Sequence, residues 1–149
     1  MIELRLGTIA DAAAIRALTR AAYAKWVPLI GREPKPMTAD YEAAVRNHRF
    51  DLLYADGVLA ALLETIRAPD HLLIENVAVL PEHQGKGLGR RLLAHAEDLA
   101  WSSGYGEIRL YTNQRFAENV ELYRRVGYRI DREETGERGV TVYMSKTLQ

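Results

Sequence analysis

The sequence predicts an α/β (α+β) fold: a single mixed, mostly antiparallel seven-stranded sheet flanked by about four helices, in one domain spanning residues 1–149. Three observations predict it. The periodicities run in the order β-α-α-β-β-β-α-β-α-β-β, which combines an antiparallel meander with helical crossovers. An Asp56-Gly57 dipeptide separates two apolar runs, a hairpin signature. An apolar run ending at Leu80 passes through a glycine-rich turn into a long amphipathic segment.

Each element follows from its residues. Ile2, Leu4 and Leu6 alternate with polar residues and predict a first strand. Thr8 and Asp11 form a capping-box pattern opening an Ala-rich helix, in which Ile15, Leu18, Ala22 and Trp26 recur at helical spacing until Pro28. Gly31 to Pro36 reads as an irregular loop, because neither proline suits a helix interior. Thr38 is the expected cap of a second helix running to about Asn47. Leu52–Ala55 and Val58–Ile66 are the strands of the hairpin, and Leu72–Leu80 reads as a buried strand. A helix is expected from about Lys86 to Ser103, burying Leu88, Leu92, Ala96 and Leu99, with Gly104 as its C-terminal cap. Ile108–Thr112 is a strand, Phe116–Val126 a helix ended by Gly127, and Tyr128–Arg132 and Val140–Lys146 are strands around a turn at Gly136–Gly139.

Composition removes several classes of function. The 149 residues include 20 Lys+Arg, 20 Asp+Glu and no Cys, which excludes disulfides, thiol nucleophiles and thiolate zinc sites. Balanced charge argues against nucleic acid as a partner. No apolar run approaches the ~18 residues of a membrane span, and Met1 to Arg5 lack the regions of a secretory signal, so a soluble, cytoplasmic protein with no membrane partner is expected. His48, His71, His83 and His95 are dispersed without a ligand-pair spacing, so no metal site is expected. No G-x-S-x-G pattern marks a serine hydrolase.

The stretch Val77-Ala78-Val79-Leu80-Pro81-Glu82-His83-Gln84-Gly85-Lys86-Gly87-Leu88-Gly89-Arg90-Arg91 carries the most chemistry. Alternate glycines permit left-handed backbone and aim successive N–H groups one way, and a helix N-terminus beyond them adds partial positive charge. Lys86, Arg90 and Arg91 at that end oppose the helix dipole by roughly 0.3–1 kcal/mol each unless an anion offsets them. The pattern is neither a P-loop nor a G-x-G-x-x-G dinucleotide loop, since no Lys-Ser/Thr pair follows and the third position after Gly87 is Arg90.

Gln84-x-x-Gly87-x-Gly89 resembles the acetyl-CoA pyrophosphate loop of the GNAT superfamily of N-acetyltransferases. Asn119-Val120-Glu121-Leu122-Tyr123-Arg124-Arg125-Val126-Gly127-Tyr128 looks like the second signature of that family. The match covers roughly residues 72 to 130, about 40% of the chain, and the first 70 residues match in layout. The resemblance implies an acyl-CoA N-acyltransferase fold with acetyl-CoA as co-substrate. It implies that Val77 and Val79 offer their main chain to the pantetheine arm and that Gln84, Gly85, Lys86, Gly87, Leu88, Gly89 and Arg90 wrap the pyrophosphate. The strands Ile74–Val79 and Ile108–Thr112 should splay apart, leaving an N–H near Val79 to stabilise the oxyanion.

Tyr123 is the implied general acid for the departing thiolate, and Asn119 the residue that hydrogen-bonds the cofactor arm. Their spacing also fits a core tyrosine and a solvated asparagine. Glu75 is the candidate base: it lies in an apolar strand, two and four residues before Val77 and Val79, so period-two alternation places all three on one face. A salt bridge at a strand end is the competing reading of Glu75; some polyamine-type relatives have a catalytic Glu at the matching place. Tyr23, Trp26 and Tyr54 are expected around the acceptor, with Tyr143 a further candidate.

The function expected is direct acetyl transfer to a primary amine of a small molecule. The alternatives are a protein N-terminal or lysine acetyltransferase, or a non-catalytic acyl-CoA sensor. Many relatives form dimers, so the resemblance allows a homodimer.

Overall fold

The computed structural model describes residues 1–137 and 139–149. Its strands are β1 (Ile2–Leu6), β2 (Arg49–Ala55), β3 (Val58–Arg67), β4 (Leu72–Val79), β5 (Glu107–Asn113), β6 (Arg129–Gly136) and β7 (Gly139–Thr147). Four longer helices are α1 (Ala12–Tyr23), α4 (Tyr41–Asn47), α5 (Leu88–Ser102) and α6 (Ala117–Arg125), and two single-turn helices, α2 (Val27–Ile30) and α3 (Lys35–Thr38), lie between α1 and α4. The sheet order is β1-β2-β3-β4-β5-β7-β6, with β4–β5 the one parallel pair among the described residues. Among those residues no helix is long and apolar enough to cross a membrane.

Several local expectations hold. Thr8 N–H donates to the Asp11 carboxylate at 2.8 Å, one half of the capping box. Asp56 and Gly57 take φ of 51° and 82°, the positive values a two-residue hairpin needs. Others are corrected. Asp40, not Thr38, caps α4, accepting from Ala43 N–H at 3.2 Å. Thr38 instead ends α3, and the expected Gly31–Pro36 loop ends inside that helix. Pro28 and Pro36 are tolerated because each falls in the first turn of its helix, where the missing N–H has no intrahelical partner to lose. α5 begins at Leu88 rather than Lys86, because Gly87 is left-handed and serves as the N-cap. Alternation in β1 does not bury it: Ile2, Leu4 and Leu6 remain 37%, 37% and 60% exposed, since β1 is an edge strand with no helix across it. The expected turn at Gly136–Gly139 includes position 138, which lies outside the described residues.

Two apolar layers enclose the sheet. On one face Leu53, Leu63, Ile74, Ile108 and Leu110 pack with Leu92, Leu93 and Ala96 of α5 and Tyr123 of α6. On the other, Leu52, Leu62 and Ala78 pack with Ile15 and Leu18 of α1 and Tyr41 of α4. α6 ends where Gly127 turns left-handed, with φ 104°; its N–H bonds Arg124 O at 3.0 Å, and Tyr128 N–H bonds Tyr123 O at 3.0 Å. A Cβ at Gly127 would stand 3.1 Å from Cε of Lys146, whose ammonium bonds Val126 O at 2.7 Å and Glu97 at 3.0 Å. Gly127→Ala should therefore cost about 1–2 kcal/mol from backbone conformation alone, lowering the melting temperature by roughly 2–8 °C in scanning calorimetry.

Candidate active site

Pairing between β4 and β5 runs only from Leu72–Ile108 to Ile74–Leu110, although β4 continues to Val79 and β5 to Asn113. Beyond that point the strands part and leave a cleft. Leu80 N–H donates back to Ala60 O at 2.9 Å. Peptide groups reverse direction at each residue of a strand, so the N–H and C=O of Val77 and Val79 point into the cleft. Val79 O there accepts Gln84 Nε2 at 3.0 Å, and Val77 O lies 3.5 Å from the Tyr23 hydroxyl.

One side of the cleft is a groove of about 280 Å³. Gly85 and Gly87 have φ of 79° and 80°, and a Cβ at either would meet nothing within 4 Å, so backbone conformation rather than space demands glycine there. Arg91 N–H closes the first helical bond, to Gly87 O at 3.0 Å. The N–H groups of Leu88, Gly89 and Arg90 precede it and are left for a ligand. Gln84, Gly85, Gly87, Leu88, Gly89 and Arg90 line the groove; Lys86 is exposed and does not. Across from them stand Val77 and Val79, and from α6 Asn119 and Tyr123. Tyr123 is 8% exposed, and burial pushes its phenol up to about 12, so it stays protonated at neutral pH.

On the other side lies a cavity of about 360 Å³ that contains Glu75, Glu64, His48, Tyr111 and Tyr41. Glu75 has left the face of Val77 and Val79, contrary to the alternation expected from sequence. Glu64 pairs with Asn76 and Thr65 with Ile74, so Glu75 is the extra residue of a β-bulge. The bulge shifts the phase by one: Ile74, Val77 and Val79 all face α5, while Glu75, Asn76 and Ala78 face the α1 side. The Tyr111 hydroxyl donates to Glu75 Oε1, and burial first, then this bond, holds its phenol far above the ordinary tyrosine range. Glu64 is 3% exposed, with His48 Nδ1 at 2.6 Å from its Oε2; burial raises its carboxyl while His48 pulls it back.

Tyr23 lines both spaces, donating to Asn76 Oδ1 at 2.9 Å. Trp26 lines the groove rather than the cavity and stacks on Phe116, centroids 4.6 Å apart. Tyr54 lines neither: it packs beneath Arg5, whose guanidinium is 4.4 Å from its ring centre. Tyr143 tilts against Tyr111 at 6.0 Å, behind the cavity's lining. Across the groove Lys25 reaches Gln84 Oε1 at 3.2 Å and Glu118 at 3.5 Å, and Arg115 bonds Leu29 O at 3.0 Å, tying the α1–α2 segment to the start of α6. Sequence reading missed Glu64, His48, Tyr111 and Asn76. The signal for Glu64 was of the same kind as for Glu75, a carboxylate inside an apolar run, Leu59–Ile66.

This arrangement of a splayed parallel pair, a glycine loop and a helix N-terminus is the architecture of an acyl-CoA N-acyltransferase. The family model described as the acetyltransferase (GNAT) family matches residues 14–128, and the chain belongs to that family. Streptothricin acetyltransferase of Streptomyces lavendulae is 38% identical over 76 residues, a match covering 50% of this chain and 40% of that protein. The matched part thus spans less than half of the relative's length. PaiA N-acetyltransferase from Thermoplasma acidophilum, crystallised with coenzyme A, has a TM-score of 0.77 at 19% identity over 99% of both chains. Ribosomal-protein-S18-alanine N-acetyltransferase from Escherichia coli has a TM-score of 0.81 at 21% identity over 100% of this chain and 95% of its own. These two likenesses establish the fold.

The Trp26–Phe116 stack is the apolar clasp of the α1–α2 segment. Trp26→Ala should cost about 3 kcal/mol, a fall in melting temperature of roughly 6–12 °C, and Trp26→Phe much less. Calorimetry of the two variants checks it.

Proposed function

We propose that the protein is an acetyl-CoA-dependent N-acetyltransferase that moves an acetyl group directly to a primary amine of a small molecule. The observation that carries this reading is the meeting of two unlike spaces at the unpaired end of β4. A glycine-lined groove with free helix N–H groups suits a diphosphate, and an acidic, aromatic cavity suits an amine.

Each residue then has a task. The N–H groups of Leu88, Gly89 and Arg90 hold the pyrophosphate, Val77 and Val79 bond the pantetheine amides, and Asn119 bonds the same arm. Glu75, through the Tyr111 hydroxyl or a water, takes the proton of the acceptor ammonium. The freed amine attacks the thioester carbonyl carbon, and the Val79 N–H stabilises the oxyanion, an effect usually worth several kcal/mol. As the C–S bond breaks, Tyr123 donates its proton to the sulfur, and the proton that the new amide nitrogen loses restores the phenol, directly or through water. The 149 residues include no cysteine to carry an acetyl-enzyme, in keeping with direct transfer.

A small acceptor is favoured over a polypeptide because α2, α3 and their prolines border the cavity, with Ile30, Pro34 and Pro36 in its wall. The name of the streptothricin relative points the same way. Thiol release measured across a panel of small amines and peptides tests the reading. Turnover with small amines is expected; turnover confined to peptides, or coenzyme A binding without turnover on any acceptor, overturns it. Tyr123→Phe should lower kcat by about 10²-fold or more with the acetyl-CoA KM little changed; an unaltered kcat removes Tyr123 from the acid role.

A further inference from the structure

The acceptor cavity holds more negative charge than one amine needs. Glu64 is 3% exposed, yet it lines the cavity, and only its Oε2 is engaged, by His48 at 2.6 Å. Its Oε1 accepts no hydrogen bond from the described residues. Glu75 is in the same state, with Oε1 taken by Tyr111 and Oε2 open. The two carboxylates are close, since Glu64 is the cross-strand partner of Asn76, the residue after Glu75. A carboxylate kept this far from water needs a cation or several donors beside it.

Among the described residues the cationic side chains that border the cavity are His48 and Lys35. His48 engages one oxygen of Glu64 and leaves the other open. The Lys35 ammonium makes no ion pair with a described carboxylate; it sits 3.4 Å from the Tyr111 hydroxyl and 5.5 Å from the centre of that ring. An alkylammonium is thus already accommodated against Tyr111, one hydroxyl away from Glu75. Glu64, the more deeply buried of the two acids, keeps an open oxygen, and Tyr23, Tyr41 and Phe116 add aromatic surface to the lining for methylenes.

Resting on the acetyltransferase reading, we propose that the acceptor is an alkyl diamine-type dication, whose reacting amine lies beside Glu75 and Tyr111 while its second cationic group seats on Glu64. An acceptor with a hydroxyl or carboxylate at the far end would leave Glu64 uncompensated or repelled.

The test is calorimetry of the full chain with coenzyme A present, titrating 1,5-diaminopentane, 5-amino-1-pentanol and 5-aminopentanoate. The diamine should bind at least about 10-fold more tightly than the amino alcohol, the scale of one charge-assisted hydrogen bond, and the amino acid most weakly. Glu64→Gln should shrink the diamine's advantage to about twofold or less, and Glu64→Asp should restore part of it. Equal or tighter binding of the amino alcohol or amino acid overturns the proposal, as does an undiminished diamine preference in Glu64→Gln. Should that variant fail to fold, the three-ligand series on the unmodified protein decides alone. Binding is read without turnover, so absence of thiol release alongside a diamine preference would count against the transferase reading instead.

Discussion

The end of β4–β5 pairing at Ile74–Leu110 is the constraint on which the rest depends. Parallel neighbours require a long crossover, and α5 supplies it, so the N-terminus of α5 comes to lie just beyond the C-terminal end of β4. Because the strands part before that end, the backbone of Val77 and Val79 has no strand to bond, and the free N–H groups of α5 stand close by. Backbone groups kept from water need partners. In this structure Gln84 and Tyr23 partly serve, one bonding Val79 O and the other approaching Val77 O. A ligand with amide groups along an extended arm would answer the same need.

The bulge at Glu75 decides what each side of that cleft is for. Without it, Glu75 would share the α5 face with Val77 and Val79 and would project a carboxylate into an apolar layer of Ile74, Leu92 and Tyr123. One inserted residue moves the charge to the side where Tyr111 can hold it, and leaves Val77 and Val79 packing as valines. A strand of continuous pairing would place the side chains of Glu75, Val77 and Val79 on one face; the bulge puts the Glu75 carboxylate on the face opposite the two valines.

What was legible in the sequence divides along the same line. Features set by local backbone chemistry were readable: the Asp56-Gly57 hairpin, the left-handed glycines of the loop, the Gly127 stop and the seven-strand order. That the loop residues line one groove was readable too, because the glycine spacing and the helix N-terminus that build it are local features. Lys86 is exposed and outside the groove lining, since a charged side chain in such a loop need not point inward. The acceptor side was largely hidden. Its residues come from α1, α4, β3, β4 and β5, and no spacing along the chain relates Glu64 to Glu75 or Lys35 to Tyr111. Tyr54 illustrates the reverse error: an aromatic in a strand beside the site, turned by its register to meet Arg5 instead. The bulge did leave a mark: Glu75 and Asn76 are two polar residues in succession between Ile74 and Val77, a break in alternation that a strict period-two reading passes over.

A formal net charge of zero conceals the last piece of organisation. Among the described residues the groove carries Lys25 and Arg90 against Glu118, with the positive end of α5, while the cavity a few residues away along β4 carries Asp40, Glu64 and Glu75 against one lysine and one histidine. Tyr23 stands between them, neutral and half-buried, its phenol held well above the ordinary range by desolvation first and by neighbouring tyrosines and Glu64 after it. Keeping that hydroxyl uncharged matters: a phenolate at the junction would repel an anion entering from one side and add to the acid excess on the other. Balanced composition therefore covers a division of charge, positive at the N-terminal end of α5 and negative in the cavity beside β4. Such a division favours an anion in the first space and a cation in the second, and opposes the exchange of the two.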